Sequence, residues 1–149
     1  MRNKILAVVE LIKFEHTVFA LPFAYMGMIL AKKSWPGWAT FFWVTLAMVG
    51  ARTAGMTLNR MIDRSMDGRN PRTKNRPSVT GEIPVKWACV VAALSLIVFF
   101  FSAFILNPLC FKLSPIALFF LTIYHYVKRF SSLCHFSLGI VLGIAPIGG

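Results

Sequence analysis

Five long apolar runs divide the chain, and short polar segments separate them. Four of the runs cover residues 14–31, 37–62, 84–106 and 113–127. A fifth begins near Leu133 and continues to the last residue. Because a transmembrane helix needs about 20 predominantly apolar residues, these runs predict an all-α, multispanning bundle of about five helices. Pro84 is predicted to begin the third helix, and Ser114 with Pro115 the fourth, since serine caps helices and proline favours their first turn.

The composition agrees with a chain that lives in lipid. Hydrophobic residues make up 57% of the sequence and aromatic residues 14%, and the mean hydropathy is +0.68, too apolar for an ordinary soluble domain. A net charge of +11 would suggest a nucleic-acid partner for a soluble protein. Here most of the Lys and Arg lie between apolar runs, as in cytoplasmic loops, so no nucleic-acid partner is expected. The three cysteines have no paired spacing, which argues against a disulfide framework or a zinc site.

Positive charge is distributed unevenly between the polar segments. If the N-terminus lies in the cytoplasm, eleven Lys and Arg fall in cytoplasmic segments and three in outer loops. The cytoplasmic set is Arg2, Lys4, Lys13, Arg64, Arg69, Arg72, Lys74, Arg76, Lys86, Lys128 and Arg129. The outer set is Lys32, Lys33 and Lys112. Because short cytoplasmic loops retain Lys and Arg, the N-terminus and the basic loop 64–83 are predicted to be cytoplasmic, in a multi-pass protein of the cell (inner) membrane.

Two of the five acidic residues, Asp63 and Asp67, lie at the end of the second apolar run. They stand four apart from each other and from Asn59, so the three project from one face if the helix continues that far. Arg52 and Met56 extend the same stripe into the membrane. Charged side chains in a membrane helix are costly and normally face the bundle interior or a water-filled cavity. A buried ion-pair network of Arg52 with either aspartate, which would only fix helix packing, is the alternative to a binding site.

Carboxylates four apart with an amide on the same stripe suit a hard divalent cation. Mg²⁺ in particular is usually bound by one or two protein carboxylates, while phosphate oxygens and water complete its coordination. Six basic residues that could meet anionic oxygens surround the stripe: Arg60, Arg64, Arg69, Arg72, Lys74 and Arg76. The segment therefore predicts a site for a diphosphate with magnesium, although some of the six could serve only to set the topology. A calcium-binding loop beginning at Asp63 is discounted, because its twelfth position is Lys74 instead of glutamate.

The segments RTAGMTLNRMIDRSMD and NPRTKNRPSVTGEIP resemble the first aspartate-rich region of the UbiA-type intramembrane aromatic prenyltransferases. Asn59, Asp63 and Asp67 match the family pattern N-x-x-x-D-x-x-x-D. Arg72 and Arg76, with the proline that follows, match a downstream R-x-x-x-R-P. The opening IKFEHTVFALPFAYMGMIL is similar to the first helix of 4-hydroxybenzoate polyprenyltransferase-like members, and YHYVKRF is similar to the tyrosine-and-lysine segment at the end of the fourth helix.

The resemblance implies a single membrane domain of nine spans, of which residues 1–149 would be the N-terminal portion and the C-terminal half would be absent. It implies a magnesium-dependent enzyme that transfers a polyprenyl group from polyprenyl diphosphate to an aromatic acceptor, 4-hydroxybenzoate or a related ring, in quinone biosynthesis. The metal ligands would be Asp63 and Asp67, with Asn59 as a ligand or a neighbour of the ligands. Arg72 and Arg76 would bind the diphosphate.

Three further residues are expected near the substrates by the same resemblance. Lys128 would approach the diphosphate from the fourth helix and take part in catalysis. Tyr124 would face the cavity, unless it is an aromatic residue of the membrane interface. Arg52 would belong to the substrate-binding stripe.

The sequence departs from the family in one respect, since no second aspartate pair occurs in its 149 residues. The family places an opposing pair in the other half of the bundle. The chain alone is therefore expected to be inactive, and to need a missing C-terminal half or self-association. Two other functions stay open: a non-catalytic membrane fragment, and an ion-conducting membrane protein, which the basic residues around the acids disfavour.

Overall fold

The computed structural model describes residue 12 and residues 14–127, and every regular element in this part of the chain is a helix. Four helices are long and two are single turns. In chain order they are α1 Phe14–Lys32, α2 Trp38–Ile62, α3 Arg64–Asp67, α4 Pro77–Thr80, α5 Val85–Leu106 and α6 Pro108–Val127. This confirms the all-α prediction. The predicted fifth run, from Leu133 onward, lies outside the described residues.

Two of the helices are long and apolar enough to cross a membrane, judged by length and composition. They are α2, with 25 residues, and α5, with 22. The helices α1 and α6 contain shorter apolar segments, Thr17–Lys32 in α1 and Pro108–Ile123 in α6. Along α5 a row of large apolar side chains is exposed: Leu94, Ile97, Phe101, Phe104 and Ile105. Such a surface suits an acyl-chain environment, and it would be an unusual amount of exposed apolar area in water.

The second helix is the centre of the described bundle, and it approaches α5 backbone to backbone at Gly50. A Cβ atom placed at Gly50 would lie 2.9 Å from the carbonyl oxygen of Ser95 and 3.0 Å from the backbone nitrogen of Phe99. No side chain can be accommodated there without separating the helices. Small residues at such crossings let membrane helices pack closely, where lipid offers no hydrophobic drive to association.

On its other side α2 packs against α1. Ala24 and Met28 of α1 are buried against Val44 of α2, and the rings of Tyr25 and Phe41 stack with centroids 4.5 Å apart. The Tyr25 hydroxyl is also 2.8 Å from Oγ1 of Thr45. The Tyr25 ring therefore makes apolar contacts between the two helices, while its hydroxyl has a hydrogen-bond partner on α2.

The sixth helix begins earlier than its sequence predicts, and the prediction that Ser114 and Pro115 open it is wrong. The helix starts at Pro108, and the side chain of Asn107 caps it by accepting a hydrogen bond from the Cys110 backbone nitrogen at 2.7 Å. Pro115 lies inside the helix, where it cannot donate to the carbonyl of Phe111. Ser114 donates its hydroxyl to that carbonyl instead, at 2.7 Å, so the oxygen keeps a partner and the helix continues.

Candidate functional site

The end of α2 presents the asparagine and the two aspartates in one register. The helix ends at Ile62, and Asp63 forms a turn with φ −86° and ψ 0° before α3 begins. Despite this break, the Asp63 backbone nitrogen donates to the Asn59 carbonyl at 2.9 Å, and the Asp67 nitrogen donates to the Asp63 carbonyl at 2.8 Å. These bonds join residues four apart, as in an α-helix. Asn59, Asp63 and Asp67 therefore follow one another at one-turn intervals.

Asp67 is the more enclosed of the two carboxylates, with 8% of its surface exposed. Arg76 donates from Nη1 to its Oδ2 atom at 2.6 Å. The hydroxyl of Thr73 donates to the Asp67 backbone carbonyl at 2.8 Å. Both contacts return from the following loop to the same residue. The hydrogen bond from Arg76 engages only one of the two carboxylate oxygens.

Turn chemistry explains why the loop folds back in this way. Asn70 accepts a hydrogen bond on its side-chain oxygen from the Arg72 backbone nitrogen at 3.0 Å, an Asx turn across Pro71. Pro77 then occupies the first turn of α4, where its missing N–H is of no consequence. Gly81, with φ +83°, ends that turn in the left-handed conformation that glycine adopts without strain.

The loop is anchored to the helices by apolar contacts beyond α4. Ile83 and Ala88 are buried together, and Met61 of α2 packs against them. The Ile83 backbone nitrogen also donates to the Pro77 carbonyl at 3.2 Å. The loop 68–83 is thus fixed to the end of α2 at both of its ends, and Arg76 within it contacts Asp67.

The six basic residues around the aspartates fall into two groups by burial. Four of them extend into solvent: Arg64, Arg69, Arg72 and Lys74. Arg76 is partly buried on Asp67, and Arg60 is almost completely buried, with 4% of its surface exposed. Arg60 interacts electrostatically with Asp63, Asp67 and Arg76. The sequence placed it only among the six basic residues around the stripe, without a role of its own, although its spacing of three from Asp63 and seven from Asp67 places it on their side of the helix.

Other predicted site residues lie at greater distance or outside the described region. Arg52 is half-buried on α2, two turns or about 10 Å before Asn59 along the helix axis. Tyr124 belongs to α6, but its side chain is not among those described. Lys128 lies outside the described residues. The roles of Lys128 and Tyr124 stay predictions.

The donor set of the site is two carboxylates and an amide. No cluster of three or more His, Cys, Asp or Glu that could hold a metal is found in the described part of the chain. Mg²⁺ needs fewer protein ligands than that, because it commonly keeps water and takes phosphate oxygens alongside one or two carboxylates. The hard oxygens of Asp63, Asp67 and Asn59 are of the kind that fits such a cation.

The profile of the UbiA prenyltransferase family matches residues 20–149 of the sequence. The chain belongs to this family. Among its relatives, the 4-hydroxybenzoate octaprenyltransferase of Methylobacillus flagellatus is 38% identical over 117 residues, which are 78% of this chain and 40% of that protein. The protein of the same name from Actinobacillus pleuropneumoniae serotype 3 is 31% identical over 147 residues, 97% of this chain and 50% of its own. This UbiA-family chain therefore spans about half the length of these relatives.

Solved structures agree with the family assignment. A UbiA homolog from Aeropyrum pernix K1, solved in its apo form, superposes with a TM-score of 0.82 and 40% sequence identity, over 90% of this chain and 48% of that one. A digeranylgeranylglyceryl phosphate synthase superposes with a TM-score of 0.90 over 99% of this chain and 54% of that one, at 19% identity, which establishes the fold alone. The resemblance and the fold class inferred from sequence are confirmed, and together with the apolar helices they support a membrane location.

Proposed function

We propose that this chain forms the diphosphate-binding half of a magnesium-dependent aromatic polyprenyltransferase. The donor would be a polyprenyl diphosphate, and the acceptor 4-hydroxybenzoate or a related ring, in quinone biosynthesis. The observation that carries the proposal is the enclosed carboxylate of Asp67, held by Arg76 in helical register with Asp63 and Asn59. The names of the bacterial relatives support the choice of acceptor.

Asp63 and Asp67 would hold the metal, with Asn59 as a third ligand or a hydrogen-bonding neighbour. Bound Mg²⁺ would supply positive charge to the diphosphate oxygens and so favour the departure of the diphosphate. Arg76 would hold the Asp67 carboxylate and bind the diphosphate at the same time. A guanidinium carries five N–H donors, and the contact with Asp67 leaves others for phosphate oxygens.

Two further basic residues, Arg72 and Lys128, would complete the binding of the diphosphate. Arg72 is exposed in the same loop, so its side chain is available to a phosphate that approaches from the cytoplasmic side. Lys128 would approach the diphosphate from the opposite side, as the family resemblance implies for the segment YHYVKRF. Positive groups placed where negative charge develops lower the barrier, because their orientation is set before the reaction begins.

The reaction itself exchanges one bond for another. The C–O bond between the allylic carbon and the diphosphate breaks, and its electron pair leaves with the diphosphate. A ring carbon of the acceptor then forms a C–C bond to the allylic carbon, and the proton on that ring carbon is lost to solvent or base. Tyr124 and Arg52 are proposed to line the cavity in which the ring is held.

The protein is proposed to be multi-pass in the cell (inner) membrane, with the N-terminus and the loop 64–83 in the cytoplasm. This orientation puts the aspartates on the side where the water-soluble diphosphate head group is expected. A cation pathway along the same stripe is disfavoured, since Arg76 forms an ion pair with Asp67 and Arg60 interacts electrostatically with both aspartates.

The test is binding of a tritiated polyprenyl thiolodiphosphate, an unreactive donor analogue, to the chain in lipid nanodiscs. We expect saturable binding with Mg²⁺ that EDTA abolishes. Asp63→Asn and Asp67→Asn should each weaken binding by about tenfold or more, because each removes a charged metal ligand. Glu82→Gln, an exposed carboxyl in the same loop, should change it by less than about twofold. Equal binding with and without Mg²⁺, or in both aspartate variants, would contradict the proposal.

A further inference from the structure

Arg60 is a buried cation whose hydrogen-bonding groups are incompletely used. It is 4% exposed, and its Nε and Nη1 atoms have no hydrogen-bond partner among the described residues. Thr57, one turn earlier on α2, is 0% exposed, and its Oγ1 atom also lacks a partner there. Buried polar groups are nearly always satisfied in native proteins, so two on one side of a helix indicate an absent partner.

The charges around Arg60 show which kind of partner is absent. Asp63 and Asp67 favour its guanidinium electrostatically, and Arg76 opposes it. Two arginines and two aspartates make this cluster neutral overall. The ion pair of Asp67 is made by Arg76, and the Nε and Nη1 atoms of Arg60 have no hydrogen-bond partner among the described residues. The unused donors of Arg60 therefore require a further acceptor at the same end of α2.

A purely structural role explains Arg60 poorly. A guanidinium buried to fix helix packing would be expected to use its N–H groups, since burial without acceptors destabilises the fold. Neighbouring Arg64, by contrast, is exposed and keeps its donors in solvent. The difference between the two residues is the reason to assign Arg60 to a ligand.

We propose that Arg60 binds a phosphate oxygen of the diphosphate directly, from the membrane side of the aspartates, as a third arginine beside Arg72 and Arg76. This inference rests on the proposed function, and it adds a substrate-binding residue to it. Binding of the magnesium diphosphate would give the buried donors their acceptor. A metal ion alone would not supply an acceptor, because it only adds positive charge next to Arg60.

The experiment separates the metal from the anion in nanodiscs that contain the chain. Mn²⁺ binding is measured by electron paramagnetic resonance without diphosphate. Binding of ³²P-labelled inorganic diphosphate is then measured with saturating Mg²⁺. The variants are Arg60→Gln, which removes the charge, Arg60→Lys, which keeps it, and Arg64→Gln as a control that loses the same charge from an exposed position four residues later.

We expect Arg60→Gln to weaken diphosphate binding by about tenfold or more, the loss of a charge-assisted hydrogen bond, with Arg60→Lys in between. Arg64→Gln should stay within about twofold of the unaltered chain. The Mn²⁺ affinity of Arg60→Gln should be unchanged or higher, because a neighbouring positive charge has been removed. Its thermal stability without ligand should not fall, because the Nε and Nη1 atoms of Arg60 make no hydrogen bond among the described residues.

Each other outcome counts against the inference. Equal diphosphate affinity in Arg60→Gln would mean that water satisfies the guanidinium, and would overturn the inference while the proposed function stands. Parallel losses of Mn²⁺ affinity and thermal stability would make Arg60 a structural group. Failure of the unaltered chain to bind diphosphate with Mg²⁺ would overturn the proposed function and this inference together.

Discussion

The Nη1 atom of Arg76 lies 2.6 Å from the Oδ2 atom of Asp67, nine residues earlier in the chain. The side chains are 28% and 11% exposed, so the ion pair is only partly screened by solvent. Thr73 adds a second contact from the loop to Asp67. The same contacts hold the predicted metal ligand Asp67 in place and keep the loop closed over it. A change to Asp67 should therefore affect the loop, and a change to the loop should affect Asp67.

Arg76→Gln is expected to open the loop 68–75. A hydrogen bond to a charged partner is worth about 2 kcal/mol, which corresponds to a roughly 30-fold larger population of the open form. Trypsin cleavage after Arg69, Arg72 or Lys74, all exposed, reports that population. Cleavage in nanodiscs should therefore be faster in the variant.

The matched control for this measurement is Arg64→Gln, an exposed arginine outside residues 68–75. Its cleavage rate should equal that of the unaltered chain. If Arg76→Gln is cleaved no faster than Arg64→Gln, the contact with Asp67 does not hold the loop closed in the membrane.

Apolar run length and four-residue spacing were enough to predict the described spans and the register of Asn59, Asp63 and Asp67. Both depend on local periodicity, which a sequence shows directly. The start of α6 was mispredicted at Ser114 and Pro115. Pro115 can lie inside the helix because the hydroxyl of Ser114 donates to the carbonyl that the proline leaves without a partner, and the sequence does not show this contact. The burial of Arg60 could not be predicted either, because it depends on how the loop 68–83 folds back over α2.

Gly50→Ala is expected to destabilise the α2–α5 pair, whereas Gly55→Ala is not. The added methyl at Gly50 would meet backbone atoms of Ser95 and Phe99, which cannot move without separating the helices. At Gly55 the nearest atom, 2.8 Å away, belongs to the Leu121 side chain, which can change rotamer. We expect a loss of about 1–3 kcal/mol for Gly50→Ala, and less than about 1 kcal/mol for Gly55→Ala, where better helix propensity offsets part of the strain.

The two glycine variants can be compared by SDS titration in mixed micelles, followed by tryptophan fluorescence. Trp43 of α2 contacts Phe101 of α5, with ring centroids 5.8 Å apart, so its emission reports the separation of these helices. Equal midpoints for Gly50→Ala and Gly55→Ala would show that the backbone approach at Gly50 is absent in the membrane.

The proposed orientation predicts that positions 34 and 75 lie on opposite faces of the membrane. Both residues, Ser34 and Asn75, are exposed, whereas Ser78, in the same basic loop, is buried and a poor labelling position. Single cysteines at 34 and 75 are introduced after Cys89, Cys110 and the third cysteine have been replaced. In intact cells an impermeant maleimide should label position 34 and leave position 75 unlabelled until the membrane is opened. Labelling of both positions in intact cells would overturn the orientation.

Expressed as these 149 residues alone, the chain is predicted to bind the magnesium diphosphate without transferring a prenyl group. Its five acidic residues are Glu10, Glu15, Asp63, Asp67 and Glu82, so one aspartate pair is available where the family resemblance implies two. The chain also spans about half the length of its relatives, and an opposing wall of the cavity would have to come from another polypeptide. The measurement is Mg²⁺-dependent transfer of a radiolabelled polyprenyl diphosphate to 4-hydroxybenzoate, in membranes of a host deleted for its own enzyme. Activity should equal that of empty membranes, and should rise when the second half of a UbiA-family domain is co-expressed. Product from the 149 residues alone would contradict the prediction, and would mean that this half, as a homo-oligomer, builds a working site.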